Sequence, residues 1–208
     1  PGGSYITATA TDAEGNTSEF SSPYHQGPYI VTNTRDSGEG SLRYMIERAN
    51  MTIQPDTIQF HIPRSDSGFS SNVWHIVPKT GLPAITGRGL VIDGGSQDSL
   101  ENTNLSGPDI FIDGRETGDW VSGLLVSSSN NVISGLTISG FHYRGIALDT
   151  ASSLYNVIRG CYLGTNPAGT DTVGRQKYGI YLTPGANNNQ IGGTGRGEGN
   201  LISRHRSD

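Results

Sequence analysis

The chain of 208 residues contains one cysteine, Cys161, so it can form neither an internal disulfide nor a cysteine-ligated zinc site. Lysine is nearly as scarce, with only Lys79 and Lys177, and alanine and glutamate are too sparse for a helix bundle. Apolar runs stop after a handful of residues, which excludes a membrane-spanning helix and argues against membrane insertion. No basic stretch precedes an apolar run near residue 1, so an export signal is expected outside these residues. A net charge of −5 without any basic stripe argues against nucleic acid as a partner. Hydrophobic residues make up 33% and charged residues 16%, and the small net charge leaves composition undecided between order and disorder.

In place of the missing classes stand 30 Gly, 10 Pro and many Ser, Thr and Asn. From about residue 90 these punctuate short apolar runs that repeat. Asn131-Val132-Ile133-Ser134-Gly135 returns 25 residues later as Asn156-Val157-Ile158-Arg159-Gly160, and Asn189-Gln190-Ile191-Gly192 follows. Gly145-Ile146-Ala147-Leu148 returns 34 residues later as Gly179-Ile180-Tyr181-Leu182. Spacings of 20 to 25 residues, with one insertion near Thr165 to Gln176, match one coil of a solenoid. A coil cannot bury its apolar face alone and must stack on its neighbours. Asn131, Asn156 and Asn189 would then form a structural ladder along the axis, and Ile133, Ile158 and Ile191 one inward column. A β-sandwich is the rival. It requires hairpin turns of the Asn-Gly or Asp-Gly kind, and few are present.

Before residue 90 one helix is expected over 41–50, with Ser41 as N-cap and Leu42, Met45, Ile46 and Ala49 at helical spacing. It is suited to cover the open end of the first coil. Residues 5 to 11 alternate, with Ile6, Ala8 and Ala10 on one face and Tyr5, Thr7, Thr9 and Thr11 on the other, which predicts an extended strand in need of a sheet. The expected organisation is an N-terminal strand arm over 1–23, a cap region over 24–89 and stacked coils over 90–208.

Val31-Thr32-Asn33-Thr34, Asp36-Ser37-Gly38-Glu39-Gly40-Ser41-Leu42-Arg43 and Asp56-Thr57-Ile58-Gln59-Phe60 resemble the N-terminal cap of bacterial right-handed parallel β-helix repeat proteins. Gly164-Thr165-Asn166-Pro167-Ala168-Gly169-Thr170, Asn188 to Thr194 and Gly199-Asn200-Leu201-Ile202-Ser203 are similar to their repeat unit, and residues 5 to 20 to the terminal strand of a β-sandwich module that often follows such a helix, here placed ahead of the cap. The resemblance implies an all-β, right-handed parallel β-helix with a short capping helix. It also implies a bacterial, extracellular or cell-surface location and a window from a longer repetitive chain. After Ile202 the sequence Ser203-Arg204-His205-Arg206 departs from the repeat, which is expected to end the stack.

Folds of this kind also carry polysaccharide lyases and hydrolases, which work with clustered carboxylates and a nearby base. His142, Tyr143, Arg144 and Asp149 form the densest polar cluster and are the candidate catalytic residues; the alternative is a decorated turn. Asp93 and Asp113 share an Ile-Asp-Gly context and are candidates for stacking on neighbouring coils around Ca²⁺, against a role as turn caps. Asp12, Glu14 and Asn16 offer a second Ca²⁺ loop, or a plain turn. His61, His75 and His205 have no metal-ligand spacing. Cys161 aligns with Leu136 and is read as a core residue. Three functions are weighed. The first is an adhesive or structural segment of a surface assembly that contacts other copies, neighbouring modules or surface polysaccharide, with head-to-tail strand addition through residues 5 to 11. The others are a carbohydrate-active enzyme and a binding module that stacks sugars on Trp74, Trp120, Tyr143 or Tyr181.

Overall fold

Apolar residues alternate here over only two to five positions before Gly, Asn or Pro interrupts them, so the chain makes many short strands. The computed structural model describes residues 4–6, 8–19, 24–97, 104, 106–174, 176–203 and 205, and for 4–6 and 24–26 the backbone alone. Strands β1 (Ser4–Ile6) and β2 (Tyr24–Gln26) pair antiparallel. β3 (Tyr29–Val31) leads to helix α1 (Leu42–Ala49), then β4 (Thr57–Phe60) and the hairpin of β5 (Phe69–Ser70) with β6 (Val73–Ile76). There follow β7 (Val91–Asp93), β8 (Ile110–Asp113) and β9 (Leu124–Val126), then β10 (Val132–Ser134), β11 (Leu136–Ser139) and β12 (Arg144–Leu148). The last are β13 (Val157–Arg159), β14 (Tyr162–Leu163), β15 (Tyr178–Leu182), β16 (Gln190–Ile191) and β17 (Leu201–Ile202).

Beyond the β1–β2 pair, the strands of the described residues form three largely parallel sheets, so they are mostly β with few helical residues, as an all-β fold requires. The first has the order β16-β13-β10-β7-β4-β3, the second β17-β14-β11-β8-β6-β5 and the third β15-β12-β9. From β7 onward the chain visits the three sheets in strict rotation, and from β10 onward each strand lies parallel to the one three places earlier. The rotation needs sharp turns between sheets. Gly135 and Gly160 make them between the first and second sheets with φ of 65° and 61°, a region that L side chains avoid.

Register puts branched aliphatic residues on top of one another. Ile58, Ile92, Ile133, Ile158 and Ile191 pair in succession, the first four at most 2% exposed. In the second sheet Ile76, Ile112, Ile138, Leu163 and Ile202 do the same, and in the third Leu124, Ile146 and Ile180. Burying each such side chain contributes about 1.5–3 kcal/mol. Leu182, Ile191 and Ile202 are exposed, because each lies on an outermost strand, β15, β16 or β17.

α1 forms where the spacing of apolar residues predicts it. Ser41 Oγ accepts from the Tyr44 N–H as N-cap, and Leu42, Ile46 and Ala49 are buried against β3 and β4 at one end of the first sheet. No helix among the described residues is long and apolar enough to cross a membrane.

The expected continuous strand over Tyr5 to Thr11 is replaced by a folded-back segment. β1 stops at Ile6, and its backbone partner β2 belongs to the same chain. Ala8, Thr9 and Ala10 are exposed outside any named strand, and Thr11 forms an isolated antiparallel bridge with Thr17. The Ser18 N–H donates to Ala10 O at 2.8 Å and the Ala10 N–H to Ser18 Oγ at 3.0 Å. The reason is local: Asp12 to Asn16 makes a tight turn that returns the chain on itself. Thr7 and the side chains of Tyr5 and Ile6 lie outside the described residues. The missing sheet that motivated strand addition to another copy is thus supplied in part by this chain.

Candidate functional site

Three glycines set up the third sheet's face. Gly123, Gly145 and Gly179 precede the paired residues Leu124, Ile146 and Ile180. A Cβ on Gly145 would stand 2.7 Å from Gly179 O and 2.6 Å from Gln176 Nε2, so a side chain is excluded there. The residues just before two of these glycines, Arg144 and Tyr178, pair across β12 and β15. Tyr181, on β15, pairs with the small and buried Ala147.

An aromatic belt results. Trp120 meets Tyr143 edge-on with ring centroids 5.1 Å apart, Tyr143 meets Tyr178 at 6.2 Å, and Tyr178 meets Tyr181 at 5.6 Å. The Arg144 guanidinium lies between two of these rings, its Cζ 4.1 Å from the Tyr143 centroid and 3.8 Å from that of Tyr181. Its Nη2 donates to the Tyr143 hydroxyl at 2.7 Å and its Nη1 to Asp149 Oδ1 at 3.3 Å. Trp120, Tyr143, Arg144 and Asp149 border a cavity of about 270 Å³ whose apolar wall includes Leu82, Val121 and Leu125. Trp120 is 74% exposed and has φ of 64°, a left-handed angle uncommon for a bulky residue.

Of the four candidate catalytic residues, the structure brings Tyr143, Arg144 and Asp149 together. His142 turns aside, with its Nδ1 2.6 Å from Asp119 Oδ1. A ring platform, a hydroxyl, a carboxylate and a held guanidinium supply stacking and directed hydrogen bonds, the ingredients of recognition. Trp74, named as a stacking platform, is instead wholly buried, and its Nε1 donates to Pro63 O at 3.2 Å. Its strand, β6, runs inside the second sheet, so no ligand can reach its ring.

Asp93 and Asp113 do not stack on one another. Asp93 belongs to the first sheet, between Gln59 and Ser134, and Asp113 to the second, beside Ser139. Their shared context hides a change of sheet. Asp113 caps the turn at Gly114–Glu116 and pairs with Arg115 at 2.5 Å, while Asp93 Oδ1 accepts from Ser134 Oγ at 3.4 Å. Asp12 accepts from the Glu14 N–H, the Asn16 N–H and Asn16 Nδ2, which makes it an Asx turn. Those bonds, that from the Asn16 side chain above all, hold its carboxyl below the ordinary value. Among the described residues no group of three or more His, Cys, Asp or Glu could hold a metal ion.

The three asparagines do meet. The N–H and Nδ2 of Asn131 both donate to Asn156 Oδ1, and those of Asn156 both donate to Asn189 Oδ1. Asn130, Tyr155 and Asn188, each preceding a ladder residue, all have positive φ, so one kind of turn recurs at all three levels. Cys161 is fully buried, and burial pushes its thiol up to about 12.

Asp119, Tyr178 and Lys177 are not among the site candidates that the sequence suggests. Tyr178 was accessible there, because it precedes Gly179 as Arg144 precedes Gly145. Lys177 Nζ lies 5.2 Å from the Tyr178 ring and has no such signature. A scan against protein families finds none whose model matches this chain.

Proposed function

We propose that the chain is a segment of an exported bacterial protein of the right-handed parallel β-helix kind it resembles. In this reading it serves as an adhesive structural element at the cell surface or outside the cell, and the belt on its third sheet binds carbohydrate. The strict rotation of the strands among three sheets supports the helix, each rotation being one coil, and α1 suits a cap over its first coil. Neighbouring modules or further copies, together with surface polysaccharide, are the partners this role requires.

One observation carries the binding reading. Trp120 holds its indole open to solvent at a backbone angle that costs a bulky residue on the order of 1–3 kcal/mol. Tyr143 braces it edge-on, which holds the open ring in one orientation. Aromatic faces stack against the C–H faces of sugar rings, and a brace that fixes the ring lowers the ordering cost of binding. The test is retention of the protein on a panel of insoluble polysaccharides and glycan-coated beads. Trp120→Ala should abolish retention and leave the far-ultraviolet circular dichroism unchanged. Equal retention of variant and parent would overturn the reading.

A further inference from the structure

The charges around the belt cavity restrict what sugar it can take. Arg144 and Asp149 are the charged residues of its lining, and they pair with each other, so the lining is neutral in sum. Arg144 has little left to offer an anion. Its side chain is 14% exposed, its Cζ lies over two tyrosine rings, and its Nε is buried without a partner. A bidentate grip on a carboxylate needs two guanidinium N–H groups on one open edge. One edge here includes the buried Nε, and the other is divided between Asp149 and Tyr143. Lys177 lies over Tyr178, outside the cavity lining, and His142 is held by Asp119.

What remains open suits hydroxyl groups. Asp149 Oδ2 accepts no hydrogen bond among the described residues, and the Asp149 side chain is 37% exposed. The Tyr143 hydroxyl accepts from Arg144, which leaves its own proton to donate. An acceptor and a donor beside an exposed indole match a sugar ring, which presents hydroxyls at its rim and C–H bonds on its face. A ligand carboxylate would instead face Asp149. The cavity of about 270 Å³ lies just under the range of roughly 300–1,000 Å³ usual for drug-sized ligands, so it suits one ring.

We infer that this site takes one neutral sugar ring, stacked on Trp120 with its hydroxyls meeting Asp149 Oδ2 and the Tyr143 hydroxyl, and that it rejects acidic sugars. The inference rests on the carbohydrate-binding reading above and names its ligand class. Isothermal titration with neutral gluco-, manno- and xylo-oligosaccharides and with acidic oligogalacturonate and alginate oligomers tests it, at low and at raised salt. The expected result is binding of a neutral sugar that does not change with salt, weakened about tenfold or more by Trp120→Ala, the loss of about 1.4 kcal/mol of contact. Asp149→Asn should weaken the neutral sugar several-fold and admit acidic ones, because it removes the opposing carboxylate. Preference of the parent protein for acidic oligomers, salt-sensitive and lost in Trp120→Ala, would overturn the neutral class while leaving a carbohydrate site. Binding of neither class would overturn both.

Discussion

Asn156 holds Asn131 twice: its Oδ1 accepts the backbone N–H at 2.9 Å and the side-chain Nδ2 at 2.8 Å. Asn156 is 2% exposed, so no bulk water replaces it when it is removed. Its Nδ2 also donates to Ser128 O and to Asn189 Oδ1. Asn156→Ala leaves the Asn131 N–H as a buried donor without a partner, which costs about 1–3 kcal/mol. With the lost bonds to Ser128 and Asn189, a destabilisation of about 2–4 kcal/mol is expected in chemical denaturation. A change under about 0.5 kcal/mol, the range of ordinary surface substitutions, would show that the ladder is decorative.

Cys161 is expected to be inert until the protein unfolds. With its thiol at about 12, on the order of one ten-thousandth is ionised near pH 8, and only the thiolate reacts. Iodoacetamide labelling followed by mass spectrometry should show no adduct on the native protein and complete labelling in denaturant. Rapid native labelling would contradict the burial of the residue.

His75 adds a pH dependence. Its ring packs edge-on against Phe111 at 5.3 Å, its Nε2 is buried without a partner, and burial holds its pKa below the ordinary 6.5. A hydrogen bond with the Ser70 backbone and then the Asp113 charge partly oppose that shift, and Arg115 adds to it. Between the lowered folded value and 6.5 the unfolded chain binds more protons than the folded one, so stability rises with pH across that window. Acidification below about 6.5 should therefore lower the melting temperature. His75→Phe keeps a ring against Phe111 and removes the titration, so its melting temperature should fall less over the same window. Identical pH profiles for the two proteins would contradict this role.

The sequence makes legible what depends on repetition. Asn131, Asn156 and Asn189 recur because a ladder needs the same amide at the same turn, and Gly145 and Gly179 because the next level, the Gly179 carbonyl over Gly145 and the Ile202 and His205 side chains over Gly179, approaches too closely for a Cβ. Spacing misleads where a loop intervenes. Asp93 and Asp113 stand 20 residues apart, close to the repeat, yet residue 93 pairs with Ser134, which comes 41 positions later. Exposure is also hidden: Trp74 and Trp120 look alike in composition, and only their strand and turn positions separate a core ring from an open one. The contacts of Arg144 with Tyr143, just before β12, and with Tyr181 of β15 are not ones the strand register reveals, since Arg144 pairs with Tyr178.

The most direct test of a sugar-binding third sheet uses the chain's two tryptophans. Trp74 is shielded in the core and Trp120 is 74% exposed, so acrylamide should quench essentially Trp120 alone. In a Trp74→Phe variant, titration with a neutral oligosaccharide should shift the remaining emission to shorter wavelength and protect it from acrylamide, saturably. Emission and quenching that stay unchanged up to millimolar neutral and acidic sugars would contradict the account.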